Sequence, residues 1–409
     1  MKIINKNIKT NSKLIFINEC LATIFYCYIF FMLSTYKTYS IYNAIPFIAS
    51  MICMVIIILS SEYISIKNVT FILIMIVYMS VDTIVNRGGI GSVLIQLYII
   101  ETIILFKNIK ITERQIKFFA IVLFMLMLFH AIKAKNYYEV FELDNSGEIL
   151  NSNSVAEIVF IIYGILCILQ KHNWLIKSKK QRFFGVKINV TSFIVYIILT
   201  VITFYIINQC KSRTTLVSFF VFFTLLFVVP YKFKKKNILL IISSGIMILG
   251  SIYPFIFLRL QQYTALNMWI YSHTGRYYYT GREQIWGNFI KELSGTVLNW
   301  LFGVGSHTVL GVSTKWGTNL HNTYWGIILN FGIIGLVLFI VFLLLNIKNT
   351  LKNDEMKKGI GSDFVILFLS ILIIGWSETI LIWSIMIPIC YSIIGVAQNS
   401  NLANLKVRE

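Results

Sequence analysis

His321 and Asn322 stand together at the start of a long apolar stretch, and an imidazole there can take up or hold a proton near neutral pH. Two arginines, Arg213 and Arg282, offer planar guanidinium forks whose paired N–H donors fit a phosphate or diphosphate. Lys211 and Arg276, close to them in sequence, add positive charge, and Glu378 in Gly375-Trp376-Ser377-Glu378 adds a carboxylate that can orient or protonate a reacting group. The chemistry these types can perform together is proton transfer beside a bound phosphoryl group. For each cation taken singly the alternative is a side chain snorkelling to ordinary lipid phosphate.

The elements that must position these residues are membrane spans. Of 409 residues 57% are hydrophobic and only 13% charged, which excludes a water-soluble globule. About twelve apolar stretches approach the length of about 20 residues that crosses a bilayer, at 14 to 34, 41 to 60, 66 to 86, 89 to 107, 115 to 133, 154 to 170, 190 to 208, 214 to 230, 238 to 258, 321 to 346, 364 to 379 and 382 to 398. The expected fold is therefore an all-α polytopic membrane protein forming a single domain. Lys and Arg cluster in alternate short loops, which places the basic first residues, and with them both termini, in the cytoplasm. Before the first span there is no small-residue cleavage signature, so that span reads as an uncleaved anchor.

With this orientation the polar segment 259–320, between the ninth and tenth spans, is one large extracytoplasmic loop rich in Arg, Tyr, Trp and Gly. From Arg282 onward Ile285, Trp286, Phe289, Ile290 and Leu293 recur at helical spacing, which predicts an amphipathic helix on the membrane surface with Thr280 as its N-cap. Arg282 then falls in the first turn, where free backbone N–H groups already favour an anion. Lys211 and Arg213 lie in a short outer turn, against the inside bias of positive charge, so something there rewards cations. At 100° per residue Gly332 and Gly335 share the helical face of His321, either as a stripe beneath the histidine or as a packing seam for another helix. Trp269, Trp286, Trp300, Trp316 and Trp325 fit an interfacial belt. The apolar run 364–398 reads as a hairpin broken at Gly375 to Glu378, which sets Glu378 level with His321 and Arg213.

Several functions are disfavoured. The net charge of +19 follows from topology signals and contact with anionic lipid, so nucleic acid is not an expected partner. The six cysteines lack CxxC spacing and indicate neither disulfides nor a metal site. The longest cytoplasmic loop, 171–189, has no Asp or Glu and no glycine-rich turn to cradle a nucleotide. The Ile, Lys and Asn bias points to an AT-rich bacterial genome.

His321-Asn322, nine residues, Gly332, two residues, Gly335 resembles the signature of the O-antigen polymerase and O-antigen ligase superfamily of membrane glycosyltransferases. Arg282 with Trp286 resembles the family's loop arginine, and Ser212-Arg213-Thr214 its arginine before an earlier span. Asn151-Ser152-Asn153 is similar to a family Asn-Pro-Asn, with Ser152 replacing the proline. The resemblance implies a type C glycosyltransferase-like fold in the bacterial cytoplasmic membrane, working on the outer face without metal or cofactor. It implies that Arg213 and Arg282 hold the diphosphate of an undecaprenyl-diphosphate-linked oligosaccharide, and that His321 activates the acceptor hydroxyl. Arg276, Lys211 and Asn322 are expected to assist binding, with a flippase and a chain-length regulator as partners beside membrane lipid. The expected function is a repeat-unit polymerase for capsule, exopolysaccharide or O-antigen. A ligase that passes finished glycan to another acceptor is the near alternative, and a lipid-linked glycan exporter or flippase the alternative of another class.

Overall fold

The computed structural model describes residues 66–85, 90–108, 112–134, 152–176, 181–183, 186–188, 190–260, 263–274, 282–305, 320–353, 359–383 and 386–399. The spans expected at 14 to 34 and 41 to 60 lie outside the described residues, as do Asn151, Arg276, Thr280 and Trp316. The described residues form helices α1 (Ile66–Val85), α2 (Ile90–Asn108), α3 (Glu113–Lys133), α4 (Ser152–Lys171), α5 (Val190–Gln209) and α6 (Arg213–Phe223). These are followed by α7 (Lys236–Leu260), α8 (Thr264–Thr274), α9 (Arg282–Leu293), α10 (Val297–Phe302), α11 (Thr323–Thr350), α12 (Ile360–Ile374) and α13 (Ile387–Gln398). The segment expected to be the longest cytoplasmic loop, 171–189, carries a short antiparallel hairpin of β1 (Gln181–Phe183) and β2 (Val186–Ile188), with Arg182 opposite Lys187.

Helices α2 (from Gly91), α3, α4, α5, α7 and α11 are long and apolar enough to cross a membrane. Three helices, α4, α12 and α13, are buried almost all round, as befits helices that are apolar on every side. By contrast α5 and α7 expose Phe193, Ile197, Val201, Ile248, Ile252 and Ile256, the outward apolar face that lipid rather than water must cover. The core is cinched at one end by Asp363 in the first turn of α12. Its carboxylate meets Lys171 Nζ at 2.7 Å and His172 Nε2 at 2.9 Å, at the last turn of α4 and just beyond it. Each helix dipole favours the sign it receives there.

The long helix α11 does not run straight. Gly332 sits at φ 61°, ψ −168°, so His321 and the two glycines do not share one continuous helical face. His321 itself lies before the helix, whose N-cap is Asn322. The kink withdraws Leu329 O from the helical ladder, and Val304 N and Gly305 N both donate to it at 2.9 Å. Phe331 O receives the Tyr78 hydroxyl of α1 at 2.9 Å. A Cβ on Gly332 would strike the Leu301 carbonyl, and one on Gly335 would strike Phe331 Cβ. Gly332 therefore admits the backbone at the end of α10, rather than another spanning helix. Gly332→Ala, at positive φ and against backbone, is expected to cost about 2 kcal/mol or more and to lower the melting temperature in detergent. Gly245→Ala, inside α7 and meeting nothing within 4 Å, should leave melting unchanged or raise it slightly.

Candidate active site

The site assembles where the start of α11 meets the turn between α12 and α13. Pro254 inside α7 has no N–H to give to Gly250 O, so that carbonyl lacks its helical partner. Asn322 Nδ2 supplies the donor at 3.1 Å and also reaches Trp376 O at 2.8 Å, while its Oδ1 caps Trp325 N at 2.8 Å. Thr323 continues the stitching, with N to Gly375 O and Oγ1 to Glu378 O, both at 2.9 Å. Trp376 Nε1 donates to Ile246 O at 3.0 Å. The turn that presents Glu378 is thus tied through backbone atoms to α7 and α11.

Glu378 is the hub. Its Oε1 accepts from Arg282 Nη2 at 2.7 Å and from Asn153 Nδ2 at 3.1 Å, and its Oε2 lies 3.3 Å from His321 Nδ1. The carboxylate is 12% exposed, the imidazole 15% and the guanidinium 20%, so the cluster is sheltered yet reachable. Burial pushes the Glu378 carboxyl up, but Arg282 first and His321 second outweigh it and hold the group below the ordinary carboxylate value. An ionised Glu378 accepts hydrogen bonds and cannot deliver a proton at neutral pH, which favours orientation over protonation among the roles expected of it. A neutral imidazole facing an acceptor-only carboxylate carries its proton on Nδ1, leaving the basic lone pair on Nε2.

Arg282 opens α9, as its position in the sequence predicts. The apolar stripe of α9 is covered by protein: Ile285, Trp286, Phe289 and Leu293 are buried, and Trp286 stacks edge-on against Phe257 with centroids 5.0 Å apart. Periodicity marks an apolar face without saying whether lipid or protein covers it. Trp286 Nε1 donates to Leu320 O at 2.7 Å and Trp325 Nε1 to Ser251 O at 2.8 Å, so both indoles are interior struts rather than belt residues. Trp286 fixes the backbone next to His321.

Asn322 departs from its expected role: it is fully buried and its amide is spent on Gly250, Trp376 and Trp325, leaving nothing to offer a substrate. Arg213 is the first residue of α6, and its neighbour Thr214 bonds Ser377 through the hydroxyls at 2.5 Å, which brings the α6 N-terminus beside the Glu378 turn. Lys211 is exposed in the preceding turn. Lys211 (φ 52°) and His321 (φ 47°) both hold the left-handed conformation that side chains rarely adopt. Asn153 is the partner that spacing alone did not tie to Glu378. Glu157, one turn further along α4 and buried, feels both Glu378 and Arg282 electrostatically. Asp82 and His130, buried on α1 and α3, make no contact with Glu378 among the described residues.

No protein-family model matches this chain, and no curated protein matches it. The geometry of the site carries the functional reading.

A carboxyl whose folded pKa is depressed stabilises above its unfolded value, near about 4.3, and loses that contribution as pH falls through the folded value. Melting in detergent should therefore show Glu378→Gln less stable than wild type at pH 7, with the difference shrinking on acidification through the ordinary carboxylate range and lost once the pH falls below the depressed folded value. Arg282→Ala, which leaves a sheltered carboxylate uncompensated, is expected to cost about 1–3 kcal/mol, and adding Glu378→Gln should restore part of it.

Proposed function

We propose that this chain is a metal-independent membrane glycosyltransferase that polymerises the repeat units of a capsule, exopolysaccharide or O-antigen. It takes glycan from an undecaprenyl-diphosphate-linked donor and adds it to a lipid-linked acceptor. The observation that carries this reading is a single carboxylate, Glu378, joined to the guanidinium of Arg282 and the imidazole of His321 at one end of a helical membrane bundle. The bias of Lys and Arg in the short loops supports placing that end on the extracytoplasmic face.

Glycosyl transfer from a diphosphate needs a base for the incoming hydroxyl and positive charge for the departing group. In the proposed step the acceptor oxygen attacks the anomeric carbon, the bond from that carbon to the diphosphate oxygen breaks, and its electron pair leaves with the diphosphate. His321 Nε2 takes the hydroxyl proton, and Glu378 holds the ring and stabilises the imidazolium that forms. Arg282 gives one N–H to Glu378 and turns its remaining donors to phosphate oxygens. Arg213, at the helix start beside the Glu378 turn, adds charge where the α6 dipole already favours an anion. Lys211 belongs to the same proposed binding surface, and Arg276 is assigned to it from the sequence alone, whereas Asn322 supports it from below.

Purified protein in liposomes, given lipid-linked repeat units, is expected to yield a ladder of longer glycans resolved by size. His321→Ala should slow its formation by about 10²–10⁴-fold. No ladder, or one indifferent to His321→Ala, would overturn polymerisation at this site. Transfer only to a non-repeat acceptor such as lipid A core would convert the reading to a ligase with the same donor chemistry. Movement of labelled donor across the bilayer without bond formation would convert it to an exporter.

A further inference from the structure

We infer that α10 is a lipid-inserted wedge: the segment between α7 and α11 does not stand wholly in water but dips into the leaflet on the side of the site. Four residues of this six-residue helix turn apolar surface outward: Val297 (76% exposed), Leu298 (63%), Leu301 (37%) and Phe302 (36%). Single exposed apolar side chains are ordinary, but a helix that is mostly such surface needs a cover.

Its depth identifies the cover as acyl chains. The backbone of Leu301 and Phe302 lies directly against Gly332, about 14 Å along the axis of α11 from Thr323 at 1.5 Å per residue. Counted from the other end, Lys348 back to Gly332 rises about 24 Å at 1.5 Å per residue, short of the roughly 30 Å hydrocarbon core, which leaves Gly332 inside that core. The Phe302 ring stacks on Tyr78 with centroids 6.5 Å apart, and Tyr78 lies about 10 Å below the Val85 end of α1. The candidate span α11 and the shorter apolar helix α1 therefore both place the end of α10 beneath the bilayer surface. Its apolar face runs on into the exposed Ile333, Val337 and Val341 of α11, so lipid that covers the span covers α10 as well.

The polar groups obey the same rule. Non-helical backbone at membrane depth is tolerated only when protein satisfies it. After the helix, Gly303 N bonds Asn299 O at 2.8 Å, and Val304 N and Gly305 N both bond Leu329 O at 2.9 Å. Asn299 turns away from the apolar face, its Nδ2 donating to Glu292 O at 2.9 Å at the end of α9. Trp300 stacks against Phe255 of α7 with centroids 6.4 Å apart, a fitting place for an aromatic at the boundary between headgroups and chains. Because α9 packs on α10, the wedge fixes the height of Arg282 relative to the bilayer.

The test uses the full chain in proteoliposomes containing phosphatidylcholine with a diazirine on its acyl chain, photolysed and analysed by peptide mass spectrometry. Residues 297–302 are expected to take up label to within about twofold of residues 333–341, and at least about fivefold above the exposed Lys291 region of α9. Val297→Ser with Leu298→Ser, at exposed positions where packing is not disturbed, should cut label on α10 severalfold and leave 333–341 unchanged. Label on 297–302 no higher than around Lys291 would overturn the wedge. So would protection of 297–302 from the label that grows with protein density in the bilayer, since it would show a second chain as the cover. Neither outcome depends on glycosyl transfer, so the wedge and the proposed function stand or fall separately.

Discussion

A carboxylate removed from water must be paired, and Glu378 takes its partners from three distant places in the chain: Asn153, Arg282 and His321. That requirement explains much of the architecture around it. The turn between α12 and α13 cannot drift, because Thr323 and Asn322 hold its backbone and Thr214 holds Ser377. The start of α9 cannot drift either, because its arginine is held by the same charge and its tryptophan by Leu320 O. An ion pair of this kind contributes little net stability, but losing one member is costly, so it favours one arrangement over its near neighbours.

Around this hub, defects in one helix are repaired by side chains of another. Pro254 deprives Gly250 O of its donor, and Asn322 provides one. Gly332 breaks the ladder of α11, and the loop after α10 and Tyr78 fill the openings. These repairs join α10, the long kinked α11 and the turn between α12 and α13 into one frame. His321 sits at the head of that frame in a left-handed conformation, a cost that the surrounding hydrogen bonds must offset. A carboxylate also cinches the opposite end of the bundle, where Asp363 meets Lys171 and His172.

Much of this was legible in the sequence where residue type dictates conformation. The break at Gly375 to Glu378 follows from an apolar run too long for one crossing, and the start of α9 at Arg282 follows from its apolar period. That break sets Glu378 level with His321 and Arg213, and the structure joins Glu378 to His321 and to Arg282. What could not be read was the destination of faces and amides. A period shows that Ile285, Trp286 and Phe289 share a side, but not that Phe257 and Trp325 cover it. Asn322 beside a histidine reads equally well as a ligand or a cap, and only the missing donor at Pro254 in another helix decides it. The hundred-degree rule placed Gly332 under His321 by assuming a straight helix, which the glycine itself interrupts.

The central claim is that the guanidinium beside Glu378 grips a lipid-linked diphosphate. The most direct measurement is the affinity of the reconstituted protein for undecaprenyl diphosphate, compared among wild type, Arg282→Ala and Glu378→Gln, the last of which removes the carboxylate while keeping the guanidinium. Loss of a charge-assisted, forked contact should weaken binding in Arg282→Ala by about 1.5–3 kcal/mol, on the order of 10–100-fold, while Glu378→Gln alone keeps or tightens it. Equal affinity in all three proteins would contradict the account.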